Sequence, residues 1–211
     1  MIEALIDYSS KLGEARDQGR RPTCLVFAGS DLNATANGVS HLSAEFLCYH
    51  AARVAADWTP TRGFQMDEVL SAVSSPGQPL EEAYPYKHDD HEAPLVMPSG
   101  EFSLNTSRIS RHPDMQCSEI VARALSGQPV GIVIQIARSV FTPSNGVIDF
   151  DPFVIPDQYH ALIVVGVGVH SDTADQYLLL RNSWGTAWGV NGHAWISVTH
   201  LNLLLLEGFL I

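Results

Sequence analysis

Residues 178–197 read Leu178-Leu179-Leu180-Arg181-Asn182-Ser183-Trp184-Gly185-Thr186-Ala187-Trp188-Gly189-Val190-Asn191-Gly192-His193-Ala194-Trp195-Ile196-Ser197. Two apolar runs, Tyr177–Arg181 and His193–Val198, flank a glycine-rich middle and read as strands around a turn. An asparagine at the end of the first run, followed by two Trp-Gly pairs, suits an orienting amide beneath an aromatic lid. Such a lid excludes water and strengthens the hydrogen bond it covers.

Upstream, Tyr159-His160-Ala161 opens a strongly apolar strand, Ala161 to Val169. A histidine at that point can turn its ring toward a cleft. Val130–Ala137 is another short β-branched run, and Asn145-Gly146 is a hairpin-type turn. Leu203–Leu206, with Gly208, Phe209 and Leu210, closes the sheet or packs as a terminal segment. Before about residue 105 helical patterns dominate. Residues 24–38 begin with Leu25, Phe27 and Ala28 and stop at Gly38. Ser43 can cap a second helix, Asp67–Val73 is a third candidate, and Cys117–Leu125 is a further short one. Ser74–Gly100 is rich in Pro, Gly and acids and reads as loop.

Cys24 stands where the loop Asp17-Gln18-Gly19-Arg20-Arg21-Pro22-Thr23 turns into the first helix. Helix N-termini favour the thiolate, which is the nucleophilic form. On position alone a buried structural cysteine is an equal reading. Gln18, six residues earlier, can turn its amide N–H to an oxyanion developing beside the Cys24 backbone N–H. One such donor is worth roughly 3 kcal/mol in a transition state.

These blocks together resemble the papain-like cysteine peptidases. The resemblance rests on DQGRRPTCLVFA, LSAEFL, EEAYPY, SGQPVGIVIQI, YHALIVVGVG and LLLRNSWGTAWGVNGHAWIS, in family order from Asp17 to Ser197. His160 follows Cys24 by 136 residues and Asn182 by 158, near the family's spacing of about 130–150. The resemblance implies an α+β fold: a helical lobe over about 18–105, a β-rich, barrel-like lobe over about 106–211 with the N-terminal segment, and an active-site cleft between them. The whole chain, 1–211, would be one catalytic domain. It implies Cys24 as nucleophile, His160 as general base and acid, Asn182 as orienter and Gln18 as oxyanion donor. Trp184 would roof the Asn–His contact, and Gly63, Tyr159 and Trp184 would contact substrate. No cofactor and no metal are implied.

The departures from the family pattern matter too. Arg21 replaces a cysteine of the secreted enzymes, so that disulfide cannot form, and Leu25 replaces the aromatic after the nucleophile. Cys48 misses the usual disulfide position, which aligns near His50. The substrate-binding glycine segment shrinks to something like Arg62-Gly63, and, with Gln18 so near the start, a form without an inhibitory pro-segment is expected. The expected branch is intracellular, closer to bleomycin hydrolase or bacterial papain-like proteins, with control by narrow specificity, a regulatory protein partner, or a missing domain of a larger polyprotein. An amidase, deamidase or transpeptidase acting on one partner, or an inactive binding module, are the alternatives.

Composition bounds the rest. The 211 residues are 45% hydrophobic and 17% charged, enough for a sizeable core. A formal net charge of −11 without a basic stretch argues against nucleic-acid binding. The longest apolar run, Ala161–Val169, falls short of the ~18 residues of a membrane span. Three widely spaced cysteines form no framework, so a cytoplasmic setting is expected, with Cys48 and Cys117 as buried thiols. Arg20 and Arg21 read as solvated loop charges, with tuning of the thiol or an acidic substrate as the alternative. Lys87–Glu92, with its H-x-x-H spacing, reads as a charged loop rather than a metal site. Tyr84-Pro85-Tyr86 reads as lobe packing.

Overall fold

Thr23 breaks from helical geometry and Cys24–Asn37 then forms α1, which stops at Gly38 in the left-handed conformation. The helix is buried along Leu25–Ala34, including Ser30, Asp31 and Asn33. Buried polar groups need partners, and Gln78 supplies them for Ser30 and Asn33. Its side chain accepts from Asn33 Nδ2 at 3.0 Å and donates to Ser30 Oγ and the Ser43 carbonyl at 2.9 Å each. Ser43 caps α2 (Ala44–Val54) by accepting from Phe46 N. Glu68 closes a capping box on α3 (Met66–Ser74). The computed structural model describes residues 1–88 and 94–211. Residues 17–110, with Ile211, form one compact unit around these three helices. Among the described residues, most of 75–100 is irregular apart from a short 3-10 turn at Glu81–Ala83, as the composition of Ser74–Gly100 implied.

The other unit comprises residues 1–16 and 111–210. Its sheet contains β1 (Ile2–Asp7), β2 (Ser110–His112), β3 (Val130–Ala137), β4 (Val147–Ile148), β5 (Val154–His170), β6 (Gln176–Arg181), β7 (His193–Ser197) and β8 (Leu205–Leu210). The order is β2-β8-β3-β5-β6-β7-β4, with β1 pairing β5. The pairs β3–β5, β5–β6 and β6–β7 are antiparallel, while β4 runs parallel to β7. The helices α4 (Cys117–Leu125) and α5 (Val198–Leu204) complete it. Ile120, Ile132, Ile134, Leu162, Val164, Leu178, Leu180 and Ile196 make a continuous buried core. Asn145 and Gly146 both take positive φ, 50° and 76°, and join Ser144 to Val147 by reciprocal hydrogen bonds of 2.8 and 3.0 Å. That is the two-residue hairpin the Asn-Gly pair encodes.

Several expectations need correction. β5 begins at Val154, not Ala161, so His160 sits inside the strand. Pro156, and Asp157 with φ of 57°, break the apolar pattern and hide the strand's first part. Val198 starts a helix rather than ending a strand, and Leu205–Leu210 pairs with β3. β1 is a strand that the N-terminal sequence did not announce.

Candidate active site

The β unit builds an imidazole–amide pair. Between Gln135 and Ala137 of β3, the register against β5 jumps from Tyr159 to Val154. This irregularity re-aims the strand just before His160. Burial along β5 switches at this point: residues 156–159 are exposed, and the strand is buried from His160 to Gly168. Asn182 follows the last residue of β6, and its backbone N–H donates to Gly192 O at 3.0 Å. Gly192 N–H in turn donates to Trp188 O at 2.9 Å. This turn depends on Gly189: with φ of +58°, a Cβ there would lie 2.2 Å from His193 O.

His160 Nε2 lies 2.7 Å from Asn182 Oδ1. Ser183 N–H donates to the same Oδ1 at 2.7 Å. A backbone N–H only donates, so this contact fixes which amide atom is oxygen. Oδ1 only accepts, so Nε2 carries the proton and Nδ1 is the basic nitrogen. The Trp184 ring lies 4.4 Å from the His160 ring, centroid to centroid, and stacks on Phe141 at 5.3 Å. Trp188 packs edge-on against Trp184 and donates from Nε1 to Val140 O at 2.8 Å. Burial drives the His160 pKa down to about 4, against the opposing effect of the Asn182 hydrogen bond.

The helical unit carries the thiol. Cys24 is the first residue of α1, half-buried and not in a disulfide. Gln18 is buried and donates from Nε2 to Arg21 O at 2.8 Å. Gly63 is exposed on the loop before α3, where Arg62 pairs with Glu68 at 2.9 Å. Cys48 and Cys117 are buried, and burial raises both thiols, Cys117 to about 11.

Arg21 corrects the reading of it as a solvated charge. It is buried, pairs with buried Glu45, and lies 4.7 Å over the Tyr86 ring. Its partner stands 24 positions away, so no local pattern announces the pair. Arg20 is exposed, as expected. Tyr84 and Tyr86 do pack on aromatic neighbours, Phe46 and Phe27. Tyr86 also reaches Gln18 O from its hydroxyl at 2.9 Å, a contact the sequence did not signal. Ser183 and Phe141 were missed as well; only the position of Ser183 beside Asn182 could have pointed to it. Of the Lys87–Glu92 segment, residues 89–92 lie outside the described residues, and His88 approaches Asp17 at 3.5 Å. Among the described residues no group of three His, Cys, Asp or Glu could hold a metal ion. No helix among them is long and apolar enough to cross a membrane. A cavity of about 580 Å³ in the β unit is lined by none of Cys24, Gln18, His160, Asn182 or Trp184.

Residues 10–203 match the papain family cysteine proteases, and the chain belongs to that family. It is 34% identical to mouse cathepsin J over 137 residues, 62% of this chain and 39% of that protein. It is 26% identical to the senescence-specific cysteine protease SAG39 of indica rice over 202 residues, 90% of this chain and 56% of that one. The chain thus spans about half the length or less of these two relatives. Digestive procathepsin L 3 from Tenebrio molitor larval midgut superposes with a TM-score of 0.79 at 22% identity, covering 100% of this chain and 70% of that one. The Carica candamarcensis cysteine protease CMS1MS2 gives 0.70 at 23% identity, covering 97% and 96%. These two likenesses establish the papain-like α+β fold.

Proposed function

We propose that the chain hydrolyses peptide bonds through a thioester on Cys24. The observation that carries this reading is the His160–Asn182 hydrogen bond of 2.7 Å, locked in one tautomer by Ser183 and covered by Trp184. A binding module has no need of an imidazole held with Nδ1 as its base. Family membership supplies the complementary nucleophile, Cys24 at the start of α1.

In this reading His160 Nδ1 takes the Cys24 proton and the sulfur attacks the scissile carbonyl carbon. The carbonyl oxygen becomes an oxyanion, received by the Cys24 backbone N–H and by one Gln18 Nε2 hydrogen; the other holds Arg21 O. The C–N bond breaks as the His160 proton passes to the leaving amine, giving an acyl-enzyme. Water then attacks the thioester, giving a proton to His160. The carboxylic acid departs and the proton returns to sulfur. Gly63 offers backbone groups to the substrate, Tyr159 its exposed side chain and Trp184 its open edge. Three cysteines outside any disulfide support a reducing, cytoplasmic setting. Arg21, in place of the secreted enzymes' cysteine, supports an intracellular, bacterial-type branch.

The test is iodoacetamide alkylation of each cysteine across pH, read by mass spectrometry, followed by turnover of a fluorogenic peptide-amide library. Cys24 should react at pH 6 at least about tenfold faster than Cys48 or Cys117. His160→Ala should remove that advantage, and Cys24→Ala should abolish turnover. Equal alkylation of all three thiols, with no cleavage of the library, would overturn the reading.

A further inference from the structure

Gln18 is held by a buried network within the helical unit. Tyr86 donates its hydroxyl proton to Gln18 O at 2.9 Å. The same hydroxyl oxygen is 2.9 Å from Thr23 Oγ1, which must then be the donor in that contact. Arg21 O accepts from both Gln18 Nε2 and Thr23 N–H, each at 2.8 Å. The Arg21 guanidinium lies over the Tyr86 ring and pairs with Glu45 at the first turn of α2. Glu45 Oε2 also accepts from Lys87 N at 3.3 Å. Glu81 bridges Tyr86 N and Ala44 N, at 2.7 and 3.1 Å, and so ties the Tyr86 segment to the start of α2. Phe27 of α1 meets the Tyr86 ring edge-on at 4.8 Å.

A buried ion pair is weak evidence for stability, because well-packed apolar residues often replace it at no loss. What this pair does is geometric. It fixes the guanidinium on which Tyr86 lies, and Tyr86 and Arg21 O grip the two ends of Gln18: its backbone carbonyl and its side-chain amide. We propose that Tyr86, Arg21 and Glu45 are positioning residues that aim the Gln18 amide at the oxyanion. The proposal rests on the reading of Gln18 as the oxyanion donor. An amide free to swing would have to be re-ordered in each transition state, so loosening the grip should lower kcat rather than raise KM.

A double-mutant cycle on Gln18→Ala and Tyr86→Phe tests this, with the fluorogenic peptide amide that the unmodified chain cleaves best. Gln18→Ala should lower kcat by about 10²–10³. Tyr86→Phe keeps the ring contacts with Phe27 and Arg21 and loses only the hydroxyl. It should lower kcat about tenfold with KM within twofold. The alkylation rate of Cys24, which develops no oxyanion, should not change. In the Gln18→Ala background Tyr86→Phe should cost nothing more, because a residue acting through Gln18 has nothing left to aim. Glu45→Gln, checked for folding by circular dichroism, should show the same pattern. A Tyr86→Phe loss that is equal in both backgrounds would make the network merely structural and overturn the proposal. So would an unchanged kcat in Tyr86→Phe while Gln18→Ala is impaired. If Gln18→Ala itself costs nothing, the role of Gln18 falls and the proposal with it, while Cys24→Ala reports separately on the peptidase reading.

Discussion

Asn182 Oδ1 accepts from His160 Nε2 and Ser183 N, while its Nδ2 is buried with no hydrogen-bond partner among the described residues. The side chain therefore keeps an unsatisfied donor in order to present its oxygen. Burial holds the His160 pKa down to about 4, and the bond to Asn182 works against that burial. Two substitutions should move the imidazole in opposite directions. Asn182→Ala removes the supporting acceptor, so the His160 pKa should fall further, and kcat/KM should drop about tenfold to a hundredfold. Asn182→Asp keeps an acceptor and adds a negative charge, so the pKa should rise above its present value. Imidazole NMR titration of both substitutions, each made in Cys24→Ala so that no thiolate can hold the imidazolium, checks this. A His160 pKa that ignored both changes would mean that Asn182 does not govern the ring.

At the scale of the element, the turn after β6 decides whether Asn182 arrives in place. Gly189 and Gly38 both take positive φ, but their surroundings differ. A Cβ at Gly189 would lie 2.2 Å from His193 O, whereas nothing lies within 4 Å of one at Gly38. Gly38→Ala should cost about 1 kcal/mol and leave the site intact. Gly189→Ala adds a backbone clash to the same strain and should cost about 2–3 kcal/mol or more. That is a melting temperature lower by roughly 5–10 °C, with loss of turnover. Equal melting temperatures for the two variants would show that the turn relaxes without consequence. The same elements show what sequence can carry. Cys24 with Gln18, His160 with Tyr159, and Asn182 with Trp184 lie in dense local blocks, so the candidate residues could be picked out at short range, and the structure brings His160, Asn182 and Trp184 together. Helix stops at Gly38 and caps at Ser43 were legible for the same reason. Arg21 was not, since its partner Glu45 arrives through tertiary structure. α5 was hidden because Val198 and Thr199 are β-branched and continue the strand pattern of β7. The first part of β5 was hidden by Pro156 and Asp157, which a strand tolerates only at an irregularity.

For the whole molecule, the buried histidines set how stability responds to acid. His160 drops to about 4 from an ordinary 6.5, and burial also lowers His200. Between those two values the unfolded chain binds a proton at residue 160 that the folded chain refuses. Folding stability contributed by this residue is therefore complete above pH 6.5, declines as the pH falls, and levels off below about 4. The loss is about 3 kcal/mol for a shift of this size. His200 acts in the same direction. Cys24→Ala is the background in which to measure it, because on the proposed mechanism the Cys24 thiolate would hold an imidazolium and mask the effect. Denaturant unfolding of Cys24→Ala and of Cys24→Ala/His160→Gln, from pH 7 to pH 4, isolates the term. Carboxylates titrate alike in both, so they cancel in the difference. The two stability curves should converge by about 3 kcal/mol over that interval, with the single variant losing more as the acidity rises. Parallel curves would mean that His160 accepts a proton as readily in the folded chain as in the unfolded one. The ring would then be too well solvated to need Trp184 above it.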